Sequence, residues 1–351
     1  MLLEGLQLPL TSPFYSDGRL NLPKLEHNAA RYSKTPVAGL VALSDFGEAT
    51  MLSDEETVQV LRCVADATAS EKVLIAGVSR DSVLGTLDLA ETTARLGYDA
   101  VLVKQPSLFR LDERHETAKA VLTYFQAIAD RSALPLILYS GASRLLPVEM
   151  VIELAGHPSI IGLVDAAGGR ERLETIRSGT SGVKHDVTVT PVFAAVTGRM
   201  PARSDDAAGG LVSADSLTGG GAALAVERAK TTPKSRTKVV GFQILAGGTA
   251  GMLEGMHAGA VGAMPAFAAS APQACYEVLA AWKDGDEALA LEKQIRLRDV
   301  GKRVEGEIGL AGIKFGCDLN GYFGGRPRLP LLPLTGDERS EIETLMQGMR
   351  N

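Results

Sequence analysis

Short apolar runs recur along the chain, and segments with helical periodicity separate them. The runs are nearly continuous in apolar character and are bounded by Gly, Pro or Ser. They cover residues 37–44, 72–79, 99–106, 134–141, 160–167, 239–248 and 260–268. Continuous apolar character is typical of parallel strands covered on both faces, because half-exposed strands alternate between apolar and polar residues. We therefore interpret these runs as buried parallel strands.

The segments between the runs carry the terminal signals of helices. One begins with Ser53 followed by Glu56, a capping box, and another ends at Gly97, a typical C-cap residue. An eighth strand is predicted within residues 3–10. Eight strands, nearly all followed by a helix, predict an α/β fold in a chain of 351 residues. The specific prediction is a (β/α)8 TIM barrel rather than an open doubly wound sheet.

Two regions of the chain are not accounted for by a (β/α)8 barrel alone. A long stretch rich in Gly, Ala, Ser and charged residues occupies about 184–236, where a short connection is expected. A loop of that length is usually functional or disordered, so we interpret it as a lid, an interface arm or a disordered loop. The predicted organisation is a barrel over 1–270, interrupted by this insertion, and a C-terminal helical extension over 271–351.

Composition and charge exclude several classes of partner. The net charge of −6 and the pI near 5.5 leave no basic face for a nucleic-acid backbone. No run reaches the roughly 18 apolar residues of a membrane span, and the N-terminus lacks a signal-peptide pattern. The five histidines show no metal-binding spacing. We therefore expect a cytoplasmic protein that binds neither nucleic acid nor membrane and carries no metal.

Several stretches, in order along the chain, together resemble one known family. They are "TSPFYSDGRLNL" (11–22), "SDFGEATMLSDEE" (44–56), "LPLILYSGASR" (134–144), "IIGLVDAAGG" (160–169), the segment 242–272 and the tail from Gly324. They are similar to the dihydrodipicolinate synthase and N-acetylneuraminate lyase family of class I aldolase barrels. The resemblance implies a barrel lysine that forms a Schiff base with pyruvate or another 2-oxo acid. It also implies a small-molecule substrate, no cofactor, and a homo-oligomer, either a dimer or a tetramer.

Some site residues follow from this resemblance. Tyr139 matches the family's proton-relaying tyrosine, and Arg144 matches the arginine that supports binding of the substrate carboxylate. A packing role for Tyr139 and a surface salt bridge for Arg144 are the structural alternatives. Gly47 and Glu48 match the loop after the second strand and are interpreted as architecture. The glycine turn at 246–251 leads into a helix, where backbone amides often bind phosphate or carboxylate.

Three departures from the family pattern converge on one pocket. Val164 stands at the lysine position, and an aliphatic side chain cannot attack a carbonyl. Asp45 and Phe46 stand where the family has two threonines that receive the carboxylate. Leu108, preceded by Ser107, stands where a second relay tyrosine is expected. Ordinary dihydrodipicolinate synthase activity is therefore not expected.

We predict a lyase or aldolase that acts on a small 2-oxo acid or sugar-like metabolite through a relocated nucleophile. Lys104, at the end of the fourth predicted strand, shares strand parity with Leu102 and is the candidate for that role. The alternative is that Lys104 points to solvent or into an ion pair. Lys184 and Lys314 are weaker candidates because of their positions in the insertion and the C-terminal helices.

Two other hypotheses remain open. In one, Asp45, Asp165 and Tyr139 act as acids and bases, or the two carboxylates hold Mg²⁺ or Ca²⁺. In the other, the protein is a barrel that binds a small molecule without catalysis. For the favoured hypothesis the catalytic candidates are Tyr139 and Lys104. The substrate-binding candidates are Arg144, Asp45, Phe46, Gly47, Val164, Asp165, Gly247 and Gly248.

Overall fold

Eight parallel strands form a closed barrel, which confirms the predicted (β/α)8 TIM barrel. A computed structural model describes residues 1–109, 115–142, 144–166, 169–200 and 235–349. The strands in this part of the chain are β1 Gly5–Pro9, β2 Gly39–Ala42, β3 Val73–Gly77, β4 Ala100–Lys104, β5 Leu136–Ser140, β6 Ile160–Asp165, β7 His185–Val189, β8 Arg236–Val240, β9 Gln243–Ala246 and β10 Gly262–Ala263. The barrel closes in the order β1-β10-β9-β6-β5-β4-β3-β2.

Helices surround the barrel and continue beyond it. They are α1 Leu22–Tyr32, α2 Asp54–Ala67, α3 Val83–Arg95, α4 His115–Ala129, α5 Val148–Ala155, α6 Arg170–Gly179, α7 Met252–His257, α8 Pro272–Lys283, α9 Glu287–Val300, α10 Leu310–Leu319 and α11 Gly336–Leu345. A π-helix, Gly301–Ile308, joins α9 to α10. The capping box of Ser53 and Glu56 is present at the start of α2. Within the described residues, none of the helices is long and apolar enough to cross a membrane.

The barrel strands are buried on both faces, as their composition predicted. The predicted run 239–248 is instead divided, because Val239 and Val240 end the exposed strand β8 and only Gln243–Ala246 forms a buried barrel strand. One set of side chains fills the inside of the barrel, and the other set packs between the strands and the helices. The inner set includes Val41, Ile75, Leu102, Ile137 and Val164. Because side chains alternate between the two faces of a strand, every residue of such a strand meets an apolar surface.

The described part of the insertion lies at the end of the barrel where the strands begin. Strands β7 and β8 pair in antiparallel fashion, between the end of α6 and the start of β9. The backbone amide of Gly198 donates to the Asp99 carboxylate at 2.9 Å, and the Arg199 guanidinium donates to the carbonyl of Thr68 at 2.9 Å. Asp99 and Thr68 precede β4 and β3. These parts of the insertion therefore form no lid over the carboxyl ends of the strands; residues 201–234 lie outside the described residues.

A buried ion pair joins distant parts of the chain beneath the carboxyl ends of the strands. The Lys314 ammonium on α10 donates to the Glu48 carboxylate at 2.5 Å and to the Ser12 carbonyl at 2.8 Å. Both side chains are fully buried. The second carboxylate oxygen of Glu48 accepts from the backbone amide of Arg328 at 2.8 Å. The pair therefore connects the N-terminal loop, the loop after β2 and the C-terminal helices. Lys314 has a structural position, with its ammonium directed at Glu48.

Replacing Lys314 by Met is expected to destabilise the protein by about 3 to 5 kcal/mol, because Glu48 is left as an unpaired buried charge. Burial already lowers the pKa of the Lys314 ammonium, which shows how strongly this site opposes an isolated charge. Chemical denaturation of the wild type and the variant measures the difference.

The matched double variant, Lys314→Met with Glu48→Gln, is expected to recover much of the lost stability because no unpaired charge remains. Lys34→Met, at an exposed position just after α1, is the control for loss of a lysine. A double variant no more stable than Lys314→Met would contradict this account of the pair.

Candidate active site

The carboxyl ends of β2 to β5 surround a cavity of about 440 Å³. This volume suits a small metabolite, and active sites of TIM-barrel enzymes lie at this face. We call it the main cavity. It is lined by Asp45, Ala49, Thr50, Leu52, Asp54, Ser79, Arg80, Asp81, Lys104, Gln105, Ser107, Tyr139, Gly141 and Arg144. Four candidates from the sequence, Asp45, Lys104, Tyr139 and Arg144, are therefore brought together here.

Lys104 lies in the mouth of the barrel, as strand parity predicted. It pairs in register with Tyr139 on β5, and Tyr139 pairs with Val164 on β6, so the three residues form one row across adjacent strands. The Lys104 ammonium is hydrogen-bonded to the Asp45 carboxylate, and the lysine side chain is 32% exposed. Lys104 therefore lies in the mouth of the barrel and also forms an ion pair there, so the two alternatives for its position both hold.

Tyr139 is a partly buried residue whose hydroxyl keeps its proton. Burial raises the pKa of its hydroxyl, and the carboxylates of Asp45, Glu305 and Asp165 raise it further. The hydroxyl therefore stays protonated at neutral pH. It lines the same cavity as the Lys104 ammonium.

The loop after β2 delivers Asp45 to the mouth through a strained turn. Leu43 adopts a left-handed backbone with φ 58°, which is costly for a residue other than glycine. A Cβ atom at Gly77 would lie 2.1 Å from the Leu43 carbonyl oxygen, so only glycine lets the loop pass this close to β3. The chain then forms a short 3-10 turn at Asp45–Gly47.

The same turn directs Phe46 and Gly47 away from the main cavity. Successive side chains of a 3-10 helix diverge by about 120°, so neighbours of Asp45 cannot share its direction. Phe46 packs against the core between strands and helices, and Gly47 is buried with its carbonyl accepting from the Ser12 hydroxyl at 2.6 Å. Their predicted contact with substrate is therefore not supported by this geometry, while the architectural interpretation of Gly47 and Glu48 agrees with it.

Val164 and Asp165 differ sharply in their surroundings. Val164 is buried inside the barrel beside Tyr139. The buried Asp165 carboxylate accepts from the Arg172 guanidinium at 2.8 Å, and Arg172 also donates to the Leu146 carbonyl at 2.7 Å. Asp165 is thus held toward α6 rather than toward Lys104.

Gly247 and Gly248 border a second cavity of about 390 Å³ between β6, β9 and the π-helix. The Gly247 amide donates to the Asp165 carbonyl at 2.8 Å, and the Thr249 amide donates to the Glu305 carboxylate at 3.3 Å. These two amides are engaged within the protein. The structure therefore places Gly247 and Gly248 at a cavity separate from that of Lys104, and their binding of substrate stays a prediction.

Sequence analysis missed several residues that line the main cavity. Ser79 accepts a hydrogen bond from the Lys104 amide at 2.8 Å. Asp81 accepts from the amide and the hydroxyl of Ser107, and these bonds lower the pKa of its carboxyl. Arg80 lies between Ser79 and Asp81 in sequence. The available signal was their position directly after a barrel strand, the place where such barrels carry functional side chains.

Gln105 lines the main cavity, while its side-chain amide oxygen is buried, and the Ser44 hydroxyl is buried beside Asp45. Leu108, by contrast, is 63% exposed and does not line the cavity, although Ser107 does.

The two carboxylates considered as metal ligands are each paired with a different basic side chain. Asp45 is bound to Lys104 and Asp165 to Arg172. A search of the described residues finds no cluster of three or more His, Cys, Asp or Glu side chains able to hold a metal.

Addition of Mg²⁺ or Ca²⁺ is therefore expected to leave the melting temperature unchanged, since neither ion gains a ready set of oxygen ligands. Thermal unfolding with and without each ion measures this, with Na⁺ at equal ionic strength as the control. A rise in melting temperature that Asp45→Asn or Asp165→Asn abolishes would restore the metal hypothesis.

Comparison with known proteins agrees with this architecture. A sequence model of the Dihydrodipicolinate synthetase family matches residues 2–186 and 224–349. The chain is 25% identical over 351 residues to a 4-hydroxy-tetrahydrodipicolinate synthase from Acidiphilium cryptum, covering 99% of each chain. It is 31% identical over 185 residues to an L-threo-3-deoxy-hexylosonate aldolase from Hypocrea jecorina, covering 50% of this chain and 58% of the aldolase.

Solved structures show the same fold. A prophage protein of the dihydrodipicolinic acid synthase family from Escherichia coli K12, in complex with pyruvate, superposes with a TM-score of 0.75 at 21% identity. The comparison covers 99% of both chains. The chain therefore belongs to the dihydrodipicolinate synthetase family.

Proposed function

We propose that the protein is a Schiff-base aldolase or lyase for small 2-oxo acids in which Lys104 is the nucleophile. The observation that carries the proposal is the position of the Lys104 ammonium in the mouth, in one row with Tyr139 and Val164. Strand ends of a barrel converge on one pocket, so a lysine at the end of β4 reaches the cavity over β2 to β5. A synthase and an aldolase among the relatives, and a structural neighbour holding pyruvate, support this chemistry.

Other lysines with a definite position are less suited to this role. Lys314 is fully buried against Glu48. The Lys72 ammonium donates to the carbonyls of Thr35 and Val37, before β2 begins. Lys184 directly precedes β7, at the opposite end of the barrel. Among the described residues that line the main cavity, Lys104 is the single lysine.

The surrounding groups match the steps of imine formation. The Asp45 carboxylate, hydrogen-bonded to the ammonium, takes one proton and leaves a neutral amine. The amine attacks the C2 carbonyl carbon of the 2-oxo acid, and a second proton of the nitrogen passes through the Tyr139 hydroxyl to the former carbonyl oxygen. The proton held by Asp45 then reaches the resulting hydroxyl group, so that water leaves and an iminium remains. The Arg144 guanidinium holds the substrate carboxylate.

The Asp45 carboxylate takes the proton of the substrate hydroxyl group as the electron pair of the breaking carbon-carbon bond moves to the iminium, which gives a carbonyl product and an enamine. The enamine carbon takes up that proton, and water hydrolyses the resulting imine and restores Lys104. The single water released during imine formation is balanced by the one consumed in hydrolysis. Val164, in the same row, and Leu102 supply an apolar surface beside the lysine, which limits solvation of the reacting groups.

Borohydride is expected to trap a stable adduct when the protein is incubated with pyruvate or other 2-oxo acids. Intact mass and peptide mapping should place the adduct on Lys104, because this ammonium lines the cavity. Lys104→Ala should abolish the adduct.

Lys34→Ala is the matched control, since Lys34 is an exposed lysine outside the mouth. Tyr139→Phe should slow trapping without moving the adduct. Absence of an adduct with every 2-oxo acid, or an adduct that persists in Lys104→Ala, would rule out the proposed nucleophile.

A barrel that binds a small molecule without a lysine nucleophile is the second candidate. The pairing of Lys104 with Asp45 and the charged lining of the main cavity, which includes Arg80 and Arg144, favour it, because these groups form a polar binding site that requires no chemistry. Saturable binding without any borohydride adduct would select this function. In either case we expect a homo-oligomer. Helix α9 exposes two apolar side chains, Leu291 and Ile295, four residues apart on one side, where a second copy could pack.

A further inference from the structure

The main cavity holds a second guanidinium, Arg80, on the other side of Lys104 from Arg144. Arg80 follows β3, Lys104 ends β4, and Arg144 follows β5, and these three strands are adjacent in the barrel. Neighbouring strands lie about 5 Å apart, so the two arginines flank the lysine within the length of a small molecule. All three side chains line the cavity.

The backbone of Arg80 is held firmly by two hydroxyl groups. Its amide donates to the Thr86 hydroxyl at 3.1 Å, and its carbonyl accepts from the Tyr124 hydroxyl at 2.7 Å. Thr86 lies on α3 and Tyr124 on α4, so Arg80 is anchored to two helices. A binding group on a fixed base loses little freedom when a ligand arrives.

The guanidinium itself is only weakly occupied. Within the described residues it contacts the Asp54 carboxylate at 3.4 Å and the Ser79 carbonyl at 3.3 Å. Asp54 is 99% exposed while Arg80 is 29% exposed, so solvent screens the pair from the side of the carboxylate. A guanidinium offers five N–H donors in a planar fork that suits a carboxylate.

The other carboxylates of the cavity are engaged elsewhere. Asp45 is bound to Lys104, and Asp81 accepts from both the amide and the hydroxyl of Ser107. A ligand carboxylate that takes the place of Asp54 on Arg80 therefore displaces a long, solvent-facing contact rather than the closer and less exposed pair of Lys104 and Asp45.

We propose that Arg80 binds a second carboxylate of the substrate, so that the natural substrate is a 2-oxo acid with two carboxylates. This inference rests on the proposed function and specifies its substrate class. Arg144 holds the carboxylate next to the reacting carbonyl, and Arg80 holds the distal one.

The test compares pyruvate with dicarboxylic 2-oxo acids of increasing length, oxaloacetate, 2-oxoglutarate and 2-oxoadipate, in the borohydride reaction. At least one dicarboxylate should half-saturate trapping at a lower concentration than pyruvate. Arg80→Gln should raise that concentration about tenfold for the dicarboxylate, the loss expected for charge-assisted hydrogen bonds, and by a clearly smaller factor for pyruvate, whose single carboxylate is held by Arg144. Arg95→Gln, at an exposed position on α3, is the control.

The Asp54→Asn variant is expected to change the half-saturating concentration in the opposite direction. Removal of the competing carboxylate should lower the half-saturating concentration of the same dicarboxylate, with no effect on pyruvate. Equal half-saturation by pyruvate and every dicarboxylate in the wild type, or an Arg80→Gln variant that binds all of them as the wild type does, would overturn the role of Arg80.

A binding measurement separates this inference from the proposed nucleophile. Calorimetry with glutarate and butyrate, which share a chain of similar length but differ by one carboxylate, needs no imine. Tighter binding of glutarate that Arg80→Gln removes supports the Arg80 subsite even if borohydride traps nothing, in which case only the nucleophile is wrong. Glutarate that binds no tighter than butyrate would overturn the subsite whatever the trapping result.

Discussion

The buried pair of Lys314 and Glu48 is the contact on which the geometry of the mouth depends. Glu48 follows directly the turn that carries Asp45, and its carboxylate is fixed by Lys314 and by the backbone of Arg328. The Arg328 guanidinium in turn binds Glu56 at the start of α2 at 2.6 Å. The C-terminal helices are therefore part of the site's support, because they determine where the loop after β2 can lie.

The barrel brings residues from distant parts of the chain to one level. Lys104, Tyr139 and Val164 are separated along the chain but occupy one row, because parallel strands in register place their ends at one level. In the proposed mechanism a nucleophile on β4 approaches a substrate from another side than one on β6 would, with Tyr139 between the two positions. The cavity agrees with this proposal, since its lining includes residues at the ends of β2 to β5 and none of β6 or β9.

Much of this arrangement was predictable from the sequence, and the limits have physical causes. Strand parity predicted that Lys104 faces the same side of its strand as Leu102, because successive side chains of a strand alternate between its two faces. The direction of Phe46 was not predictable, since it depends on a 3-10 turn that begins after a strained Leu43. Arg80 was missed because a loop arginine has no periodicity, and its anchors on Thr86 and Tyr124 come from two different helices.

Basic and acidic side chains are equal in number in the main cavity. An incoming anion must therefore displace a carboxylate from one of the basic side chains. Lys104, Arg80 and Arg144 face the carboxylates of Asp45, Asp54 and Asp81 in the same cavity. Pairs that are shielded from solvent are costly to separate, whereas an exposed partner contributes little. The pair of Arg80 and Asp54 is the longer and the more exposed one, with Asp54 almost fully in solvent, whereas Asp45 is about half exposed. An anionic ligand is therefore accommodated at the least cost by exchange at Arg80, which leaves the pair of Lys104 and Asp45 intact.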